Sequence, residues 1–433
     1  MRSIAVQFVP VHSTGYGRMG IEIVRALNAQ GIETPQVRDE TARVPPVALF
    51  MHVPVMCRGW WKGQYSVLVS MFETTELSLE FQELCPEFDM IVVPCDANVE
   101  TYSKYNDNVV KVPLGVDPEL WHFQERKRGR FTYLTVGAGY NRKNFPEIIR
   151  AFKIVRDQLD AGGFPKPQLI IKSPPELALY EPLTEDPDVI ILSEWLNEED
   201  ERGLYEDAHC YVAATKGEGW GMCPHQAIAQ GLPTILTDAA GHHEFSQWGI
   251  PLRWHYEEAN YDTWAGAGVI DQHLSNGKWW VPDFDDLVRR MLDVYYHYDQ
   301  CRAEAKRNAQ RIAHLTWAHT AQVLVEQLER HVDLADSIDR EDWVEFDRQL
   351  FPIRVVEPWH LTTGLDDYVM LPGQTYYEPS NIRRLAMEQR VLHPDCLTDR
   401  EMVPESDDVA YRAKTLICPT CKRPFPQIEP VVS

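Results

Sequence analysis

The feature of the sequence that most restricts its fold is a rhythm of short apolar runs and amphipathic stretches, which occurs twice. The first occurrence contains the runs SIAVQFVPV, VALFMHVPV, YSVLVSMF, DMIVVPC and NVVKVPLGV. The second contains FTYLTVGAG, QLIIKSP, DVIILSEW, HCYVAAT and LPTILTD. Continuous apolar runs of this length, separated by helical patterns, are typical of strands buried in a parallel sheet. The sequence therefore predicts an α/β protein with two consecutive Rossmann-like domains.

The chain of 433 residues is too long for a single ordinary hydrophobic core. We place the first domain at residues 1–125 and the second at 126–315, where a short basic cluster beginning at Arg126 forms the linker. Helical spacing predicts helices over residues 21–30, 144–159 and 224–230, and a closing helix at 316–334. Residues 335–433 are rich in Pro, Trp and Asp and weakly periodic, so we treat them as a separate appendage.

Charge and composition narrow the classes of partner. The formal net charge is −23, whereas nucleic-acid binders need clustered Lys and Arg, so no unmodified nucleic acid is expected. An acidic surface also repels anionic lipid. The chain shows no apolar run of eighteen residues and no secretory signal, and its nine cysteines are scattered. We expect a cytoplasmic protein with reduced thiols and no integral membrane association.

The first glycine-rich segment, STGYGRMG, has Gly15, Gly17 and Gly20 in G-x-G-x-x-G spacing between a strand and a helix. Such glycines allow backbone amides to approach a phosphate at a helix N-terminus. Asp39 lies near the distance at which a dehydrogenase places its ribose-binding acid, which would favour a nicotinamide cofactor. Phosphate or acceptor contact, nicotinamide binding and plain turn chemistry all remain open.

Two further segments carry charged side chains at the ends of predicted strands. Arg142 and Lys143 follow a strand and precede a helix, where adjacent cations suit a diphosphate. In GEGWG, three glycines surround Glu218 on a tight loop after the strand CYVAAT. Open α/β sheets bind ligands at that edge, and a carboxylate there can accept hydrogen bonds from two sugar hydroxyls. A solvated basic surface and a simple helix cap are the competing interpretations.

These motifs together resemble glycosyltransferase family 4, the retaining GT-B enzymes. The resemblance covers roughly residues 1–334, with its segments in the family's order: STGYGRMGIEIVRALNAQGIE, SMFETTEL, DMIVVPCDANVETYSKY, VVKVPLGVDPELW, VGAGYNRKN, the GEGWG segment and LTWAHTAQVLVEQL. It implies a GT-B fold, two Rossmann-like domains facing a cleft. The first domain would bind the acceptor and the second the nucleotide sugar.

The resemblance also implies roles for individual residues. Glu218 would hold the transferred sugar, while Gln226 stands where the family has a second glutamate that contacts the ribose. Arg142 and Lys143 would hold the diphosphate, since Ala138 stands about where relatives often carry an arginine. His52 would lie near the reacting carbon. Further donor-binding candidates, the last two less certain, are Gly15, Gly17, Gly219, Trp220, Gly221, Met222, Glu73 and Glu244.

The appendage contains two close pairs of potential metal ligands. They are His393 with Cys396 and Cys418 with Cys421, each separated by two residues. Two such pairs joined by a loop are typical of structural zinc ribbons. Free thiols in a loosely packed tail are the alternative.

The sequence thus predicts a hexosyltransferase that moves a sugar from a UDP- or GDP-sugar to a glycan, protein or small molecule, with retention of configuration. The resemblance implies that catalysis requires no cofactor. A zinc ion in the appendage would have a structural role. One alternative is an NAD-dependent oxidoreductase or epimerase that uses the N-terminal glycines. Another is an inactive sugar-nucleotide-binding module, which Gln226 suggests because glutamine accepts with only one oxygen.

Overall fold

The computed structural model describes residues 2–8, 15–34, 47–57, 65–126, 129–138, 141–173, 186–193, 196, 198–259 and 276–332, and six short strands between residues 352 and 430. Every apolar run that we expected to be a strand contains one. The strands of the first domain are β1 (Ala5–Gln7), β2 (Val47–Met51), β3 (Tyr65–Val69), β4 (Met90–Val93) and β5 (Val109–Lys111). Those of the second begin with β6 (Thr132–Val136), β7 (Gln168–Lys172), β8 (Val189–Leu192), β9 (Cys210–Ala213), β10 (Thr234–Thr237) and β11 (Ile250–Leu252).

The first sheet is parallel, in the order β1-β2-β3-β4-β5. A parallel bridge between Ser3 and Glu33 extends it on the other side of β1. After β1 the chain therefore runs to Glu33 on one side of β1. It then crosses back and forms β2 on the opposite side of β1. In such a sheet the crevice lies at the carboxyl ends of the two strands where the order reverses. His52 follows β2 directly, at this position.

The second sheet is also parallel, in the order β8-β7-β6-β9-β10-β11. This is the doubly wound order, with its reversal between β6 and β9. The segments that follow these two strands carry Arg142 and Lys143 on one side and Glu218 on the other. Strand order thus brings together residues that lie about 75 positions apart in the sequence.

Nine α-helices occur among the described residues. They are α1 (Gly15–Ala29), α2 (Leu79–Leu84), α3 (Asp96–Tyr102), α4 (Phe145–Ala161), α5 (Glu198–Asp207), α6 (Met222–Ala229), α7 (Phe284–Tyr296), α8 (Tyr298–Ile312) and α9 (Trp317–Leu328). The helices expected from helical spacing correspond to α1, α4, α6 and α9. None of the described helices has the length and apolar character needed to cross a membrane.

The last of these helices joins the two domains. Helix α9 follows the second domain in sequence but packs against α1 of the first. Gly115 permits the crossing, because a Cβ atom there would lie 2.0 Å from the carbonyl carbon of Thr316. One continuous apolar core accordingly includes Ile4 of the first domain, Leu134 of the second and Leu324 of α9. The side chains of both domains are held in one packed unit.

The linker between the sheets is anchored by a buried cation. The Arg126 guanidinium donates to the carbonyl of Tyr205 at 2.5 Å and to the carbonyl of Gln230. These carbonyls lie in the last turn of α5 and at the C-cap of α6, where helix carbonyls lack partners within the helix. Arg126, which the sequence places in a basic linker, therefore binds that linker to the second domain.

A hairpin lies between the second sheet and α7. Its strands are β12 (Trp254–Glu258) and β13 (Lys278–Pro282), which pair antiparallel. Its backbone contacts both domains: Trp280 N donates to the Lys216 carbonyl at 2.8 Å and Thr75 N donates to the Lys278 carbonyl at 3.1 Å. The hairpin was not expected from the sequence.

In the appendage, the structure describes six short strands. They are β14 (Pro352–Val355), β15 (Trp359–Thr362), β16 (Asp367–Met370), β17 (Thr375–Tyr377), β18 (Val391–Leu392) and β19 (Ile428–Pro430), which form two three-stranded antiparallel sheets. The four proposed zinc ligands, His393, Cys396, Cys418 and Cys421, lie outside the described residues, as does Asp39. Zinc binding therefore stays a prediction.

Candidate active site

The glycine loop after β9 is packed against the first domain. A Cβ atom on Gly217 would lie 2.0 Å from the Glu73 carbonyl oxygen, and one on Gly219 would lie 2.5 Å from Met71. Gly221 has φ +96°, a left-handed conformation that favours glycine, and forms the N-cap of α6. The glycines are therefore required by close contact between the domains and by the turn into α6.

Two cations hold the carboxylate on this loop. Arg142 Nη1 donates to Glu218 Oε1 at 2.9 Å, and Lys143 Nζ donates to the same oxygen at 2.5 Å. Arg142 also donates to the Gly217 carbonyl at 3.2 Å. The three charged side chains are mostly buried, with exposures of 8% for Glu218, 14% for Arg142 and 16% for Lys143. Because solvent screens such pairs little, the interaction is strong.

The turn that carries the cations is fixed by its neighbours. Asn144 adopts a left-handed backbone with φ 60° at the start of α4, and its side-chain amide donates to the Ala214 carbonyl at 3.1 Å. The amide of Lys216 donates to the Arg142 carbonyl at 2.7 Å. The ends of β6 and β9 are thus bound to each other, which fixes the separation between the cations and Glu218.

The charge balance of the cluster is close to neutral. Burial raises the pKa of the Glu218 carboxyl, but Arg142, Lys143 and His242 outweigh it and lower the pKa to about 2. The carboxyl is therefore ionised at neutral pH. Arg142 Nη2 also lies 3.3 Å from Glu73 Oε1 of the first domain. Two cations and two carboxylates meet where the domains face each other.

One comparison with known proteins concerns the second domain. Residues 130–267 match the family model described as glycosyl transferases group 1, and this segment includes Arg142, Lys143, Glu218, Gln226 and Glu244. This domain resembles the group 1 glycosyltransferases. No curated protein matches the chain significantly.

Solved structures show the same fold over most of the chain. Sucrose-phosphate synthase from Thermosynechococcus elongatus has 13% identity and a TM-score of 0.55, covering 76% of this chain and 98% of its own. HepE from Anabaena, solved with UDP and glucose, has 12% identity and a TM-score of 0.52, covering 76% and 100%. The fold is GT-B, an α/β arrangement with two parallel sheets.

On the GT-B fold, the first-domain histidine lies in a network that leads to the glycine loop. The His52 ring stacks on Tyr16 with 4.8 Å between ring centroids, and its Nδ1 accepts from Val53 N at 2.9 Å. The Tyr16 hydroxyl donates to the carbonyl of Met71 at 3.0 Å, and Met71 packs on Gly219. Burial lowers the pKa of His52 to about 4, so the ring is neutral at pH 7.

The N-terminal glycines belong to the first turns of α1. Gly15 begins the helix, and a Cβ atom there would lie 3.8 Å from Met222 Cε at the start of α6. Gly17, two residues further along the helix, is buried. Gly20 has a packing role, since a Cβ atom on it would lie 2.3 Å from the Phe8 ring. The first residue of α1 therefore lies next to the first residue of α6, which follows the glycine loop.

Three other donor-binding candidates lie in different surroundings. Trp220 is 1% exposed, and its indole nitrogen donates to His225 Nδ1 at 3.2 Å, so its side chain is part of the core. Gln226 is buried in α6, and its Oε1 has no hydrogen-bond partner among the described residues. Glu244 accepts from Asp96 N at 2.7 Å and pairs with Lys111 at 3.1 Å, which links the second domain to α3.

Sequence reasoning did not assign His242 to this site. The described residues contain no group of three His, Cys, Asp or Glu side chains arranged for a metal. The structure places His242 beside Glu218, in a 3-10 turn (Ala240–Glu244) after β10. Its position after a central strand of the sheet was the only signal in the sequence.

Proposed function

We propose that this protein transfers a sugar from a nucleoside-diphosphate sugar to an acceptor, with retention of configuration at the transferred carbon. The observation that carries the proposal is the Arg142–Lys143–Glu218 cluster at the strand-order reversal of the group 1 glycosyltransferase domain. It combines cations for a diphosphate with a carboxylate for sugar hydroxyls.

The charged groups are proposed to have different roles in the reaction. The bond between the sugar and the diphosphate breaks with growing negative charge on the leaving phosphate. Arg142, Lys143 and the N-terminus of α6 stabilise that charge, because fixed cations and helix dipoles in a buried site need no reorganisation. Glu218, ionised at neutral pH, accepts hydrogen bonds from the sugar hydroxyls and orients the ring.

The donor is proposed to be a UDP- or GDP-sugar. HepE, which shares the fold, was solved with UDP and glucose, and this supports a nucleotide sugar as the class of donor. The acceptor, a glycan, a protein or a small molecule, is proposed to reach the cleft from the first domain. Its side of the cleft presents His52 and the Met71–Glu73 segment, of which the latter contacts the glycine loop.

An inactive sugar-nucleotide-binding module remains the second candidate, because Gln226 replaces a glutamate and its Oε1 is buried without a described partner. The nicotinamide alternative is weakened because the close contact of Gly20 with the Phe8 ring explains the glycine at this position without a cofactor. Thermal shift with UDP, GDP and NAD separates the classes. Stabilisation by NAD alone would refute the proposal.

Turnover then distinguishes an active enzyme from a binding module. Release of free UDP or GDP from sugar donors, followed by mass spectrometry and anomeric NMR of the product, reports transfer and its stereochemistry. Glu218→Ala should abolish release while the thermal unfolding profile stays cooperative. Unchanged turnover in this variant would remove the assignment of Glu218.

The zinc proposal rests on sequence spacing alone. We propose that the pairs His393 with Cys396 and Cys418 with Cys421 hold one structural zinc ion. Metal analysis of the purified protein should find one zinc per chain, and Cys418→Ser should lose it. Equal metal content in both proteins would contradict the proposal.

A further inference from the structure

His242 presents an unsatisfied hydrogen-bond acceptor next to Glu218. The side chain is 1% exposed, and its Nε2 has no hydrogen-bond partner among the described residues. The amide of Gly241 donates to the Glu218 carbonyl at 2.9 Å, which fixes the turn to the glycine loop. A Cβ atom on Gly221 would lie 2.5 Å from His242 Nε2, so this nitrogen faces the start of α6.

The hydrogen bonding of the ring determines what Nε2 can do. The ring hydrogen-bonds to the backbone of Thr237, in a bond that raises its pKa, so the ring is the donor. Since Nε2 has no partner, the donor is Nδ1. Burial is the largest effect on the ring and lowers the pKa of His242 to about 4; the Glu218 carboxylate opposes this shift, and Lys143 and Arg142 add to it. A neutral ring protonated on Nδ1 leaves a lone pair on Nε2 as an acceptor.

A hydrogen-bond acceptor at Nε2 of His242 can contact only a part of the ligand that donates a hydrogen bond. In a nucleotide sugar each of the two phosphates carries one negative charge and no proton at neutral pH, so the diphosphate oxygens only accept and cannot satisfy Nε2. A sugar hydroxyl can donate to it. Glu218, which lies beside the ring, is the group proposed to hold the sugar hydroxyls.

We propose that His242 Nε2 accepts a hydrogen bond from a hydroxyl of the transferred sugar, and so contributes to donor-sugar recognition together with Glu218. The inference rests on the proposed function of this site. It assigns to the turn after β10 a direct contact with the sugar, separate from the contacts of Arg142 and Lys143 with the diphosphate. Without the sugar, a buried acceptor has no donor, which is unfavourable.

The test compares affinities for a nucleotide and its sugar form. Calorimetry gives the Kd of UDP and of UDP-glucose, and of GDP and GDP-mannose as a second pair. In His242→Asn the side-chain amide can keep the bond to Thr237 but lacks an acceptor at the reach of Nε2. We expect the preference for the sugar form to fall about tenfold, as for a lost hydrogen bond, while the Kd of the diphosphate changes less than twofold.

Two further variants sharpen the comparison. His242→Gln places an amide oxygen near the position of Nε2 and should restore part of the preference. His243→Ala is the matched control, since its ring is 70% exposed and pairs with Asp238 on the surface, and it should leave both affinities unchanged. If His242→Asn does not fold, His242→Phe removes the same acceptor and keeps ring packing on Phe245.

The outcomes separate this inference from the proposed function. If the wild-type protein binds neither UDP nor GDP, the proposed function fails and the inference fails with it. If it binds them and the variants keep the full preference for the sugar form, only the role of His242 is refuted. An equal loss for the diphosphate and for its sugar form would also refute it, because that pattern indicates a purely structural residue.

Discussion

Glu218→Gln should act in opposite directions on stability and on nucleotide binding. The substitution keeps the shape of the side chain and removes its charge. In the wild-type protein the pKa of this carboxyl is lowered from 4.5 to about 2, chiefly by Arg142 and Lys143 acting against burial. That difference corresponds to about 3 kcal/mol in favour of the ionised form in the folded protein. Since the carboxyl is ionised above pH 4.5, the stabilisation is present at pH 7 and is lost as the pH falls from 4.5 toward 2.

The variant should therefore unfold with a free energy about 3 kcal/mol lower at pH 7, measured by denaturant titration. The two cations that remain should bind UDP or GDP about tenfold more tightly, because a carboxylate that competes with the diphosphate for them is gone. Sugar transfer should fall at least about a hundredfold, since the group that orients the sugar has lost its charge. Glu218→Gln is thus expected to lower stability and turnover while it raises the affinity for the nucleotide.

A matched control is Glu147→Gln in the first turn of α4, where the carboxylate pairs with Arg150 on the surface. It should change stability by less than about 1 kcal/mol and leave nucleotide affinity unchanged. If Glu218→Gln weakened UDP and GDP binding, the reasoning that the carboxylate and the diphosphate share the same cations would be wrong.

Three other predictions concern buried groups. His52, His225 and His242, whose pKa values are lowered from 6.5 to about 4, about 3 and about 4, chiefly by burial, stay neutral in the folded protein while the unfolded chain takes up protons. The free energy of unfolding should therefore fall below pH 6.5, by about 4 kcal/mol per pH unit near pH 5, and a flat profile in denaturant titrations would contradict this. Arg126→Ala should cost about 2 kcal/mol in the same assay, because it leaves the buried Tyr205 carbonyl without a donor, while the Gln230 carbonyl keeps the amide of Gln124; a loss below about 1 kcal/mol would count against the anchor. Gly217→Ala should lower turnover more than tenfold by forcing the glycine loop away from the first domain, whereas Gly203→Ala in α5, with open space around it, should leave turnover unchanged; equal turnover in both would refute the close contact.

Much of the fold follows from local patterns in the sequence. The apolar runs locate ten of the strands because the interior strands, such as β2, β4, β6, β9 and β10, are buried along their whole length and are therefore largely apolar. The edge strands β5 and β8 are only partly buried, but their runs are also apolar enough to be recognised. The glycines around Glu218 indicate a tight loop at the end of a strand, and the structure has that loop at that place. The helices α4 and α9 are likewise visible as periodic patterns, because each places one apolar face on a core.

The composition of the site was decided by tertiary structure. Arg142 and Glu218 are 76 positions apart and meet because β6 and β9 are neighbours in the sheet, an order that periodicity does not encode. Glu73 joins them from the other domain, and His242 enters from the turn after β10. The sequence by itself determined which segments are strands and that a carboxylate stands on a glycine turn. Only the fold determined that Arg142 and Lys143 share one carboxylate oxygen of Glu218, because electrostatic interaction depends on distance in space and not along the chain.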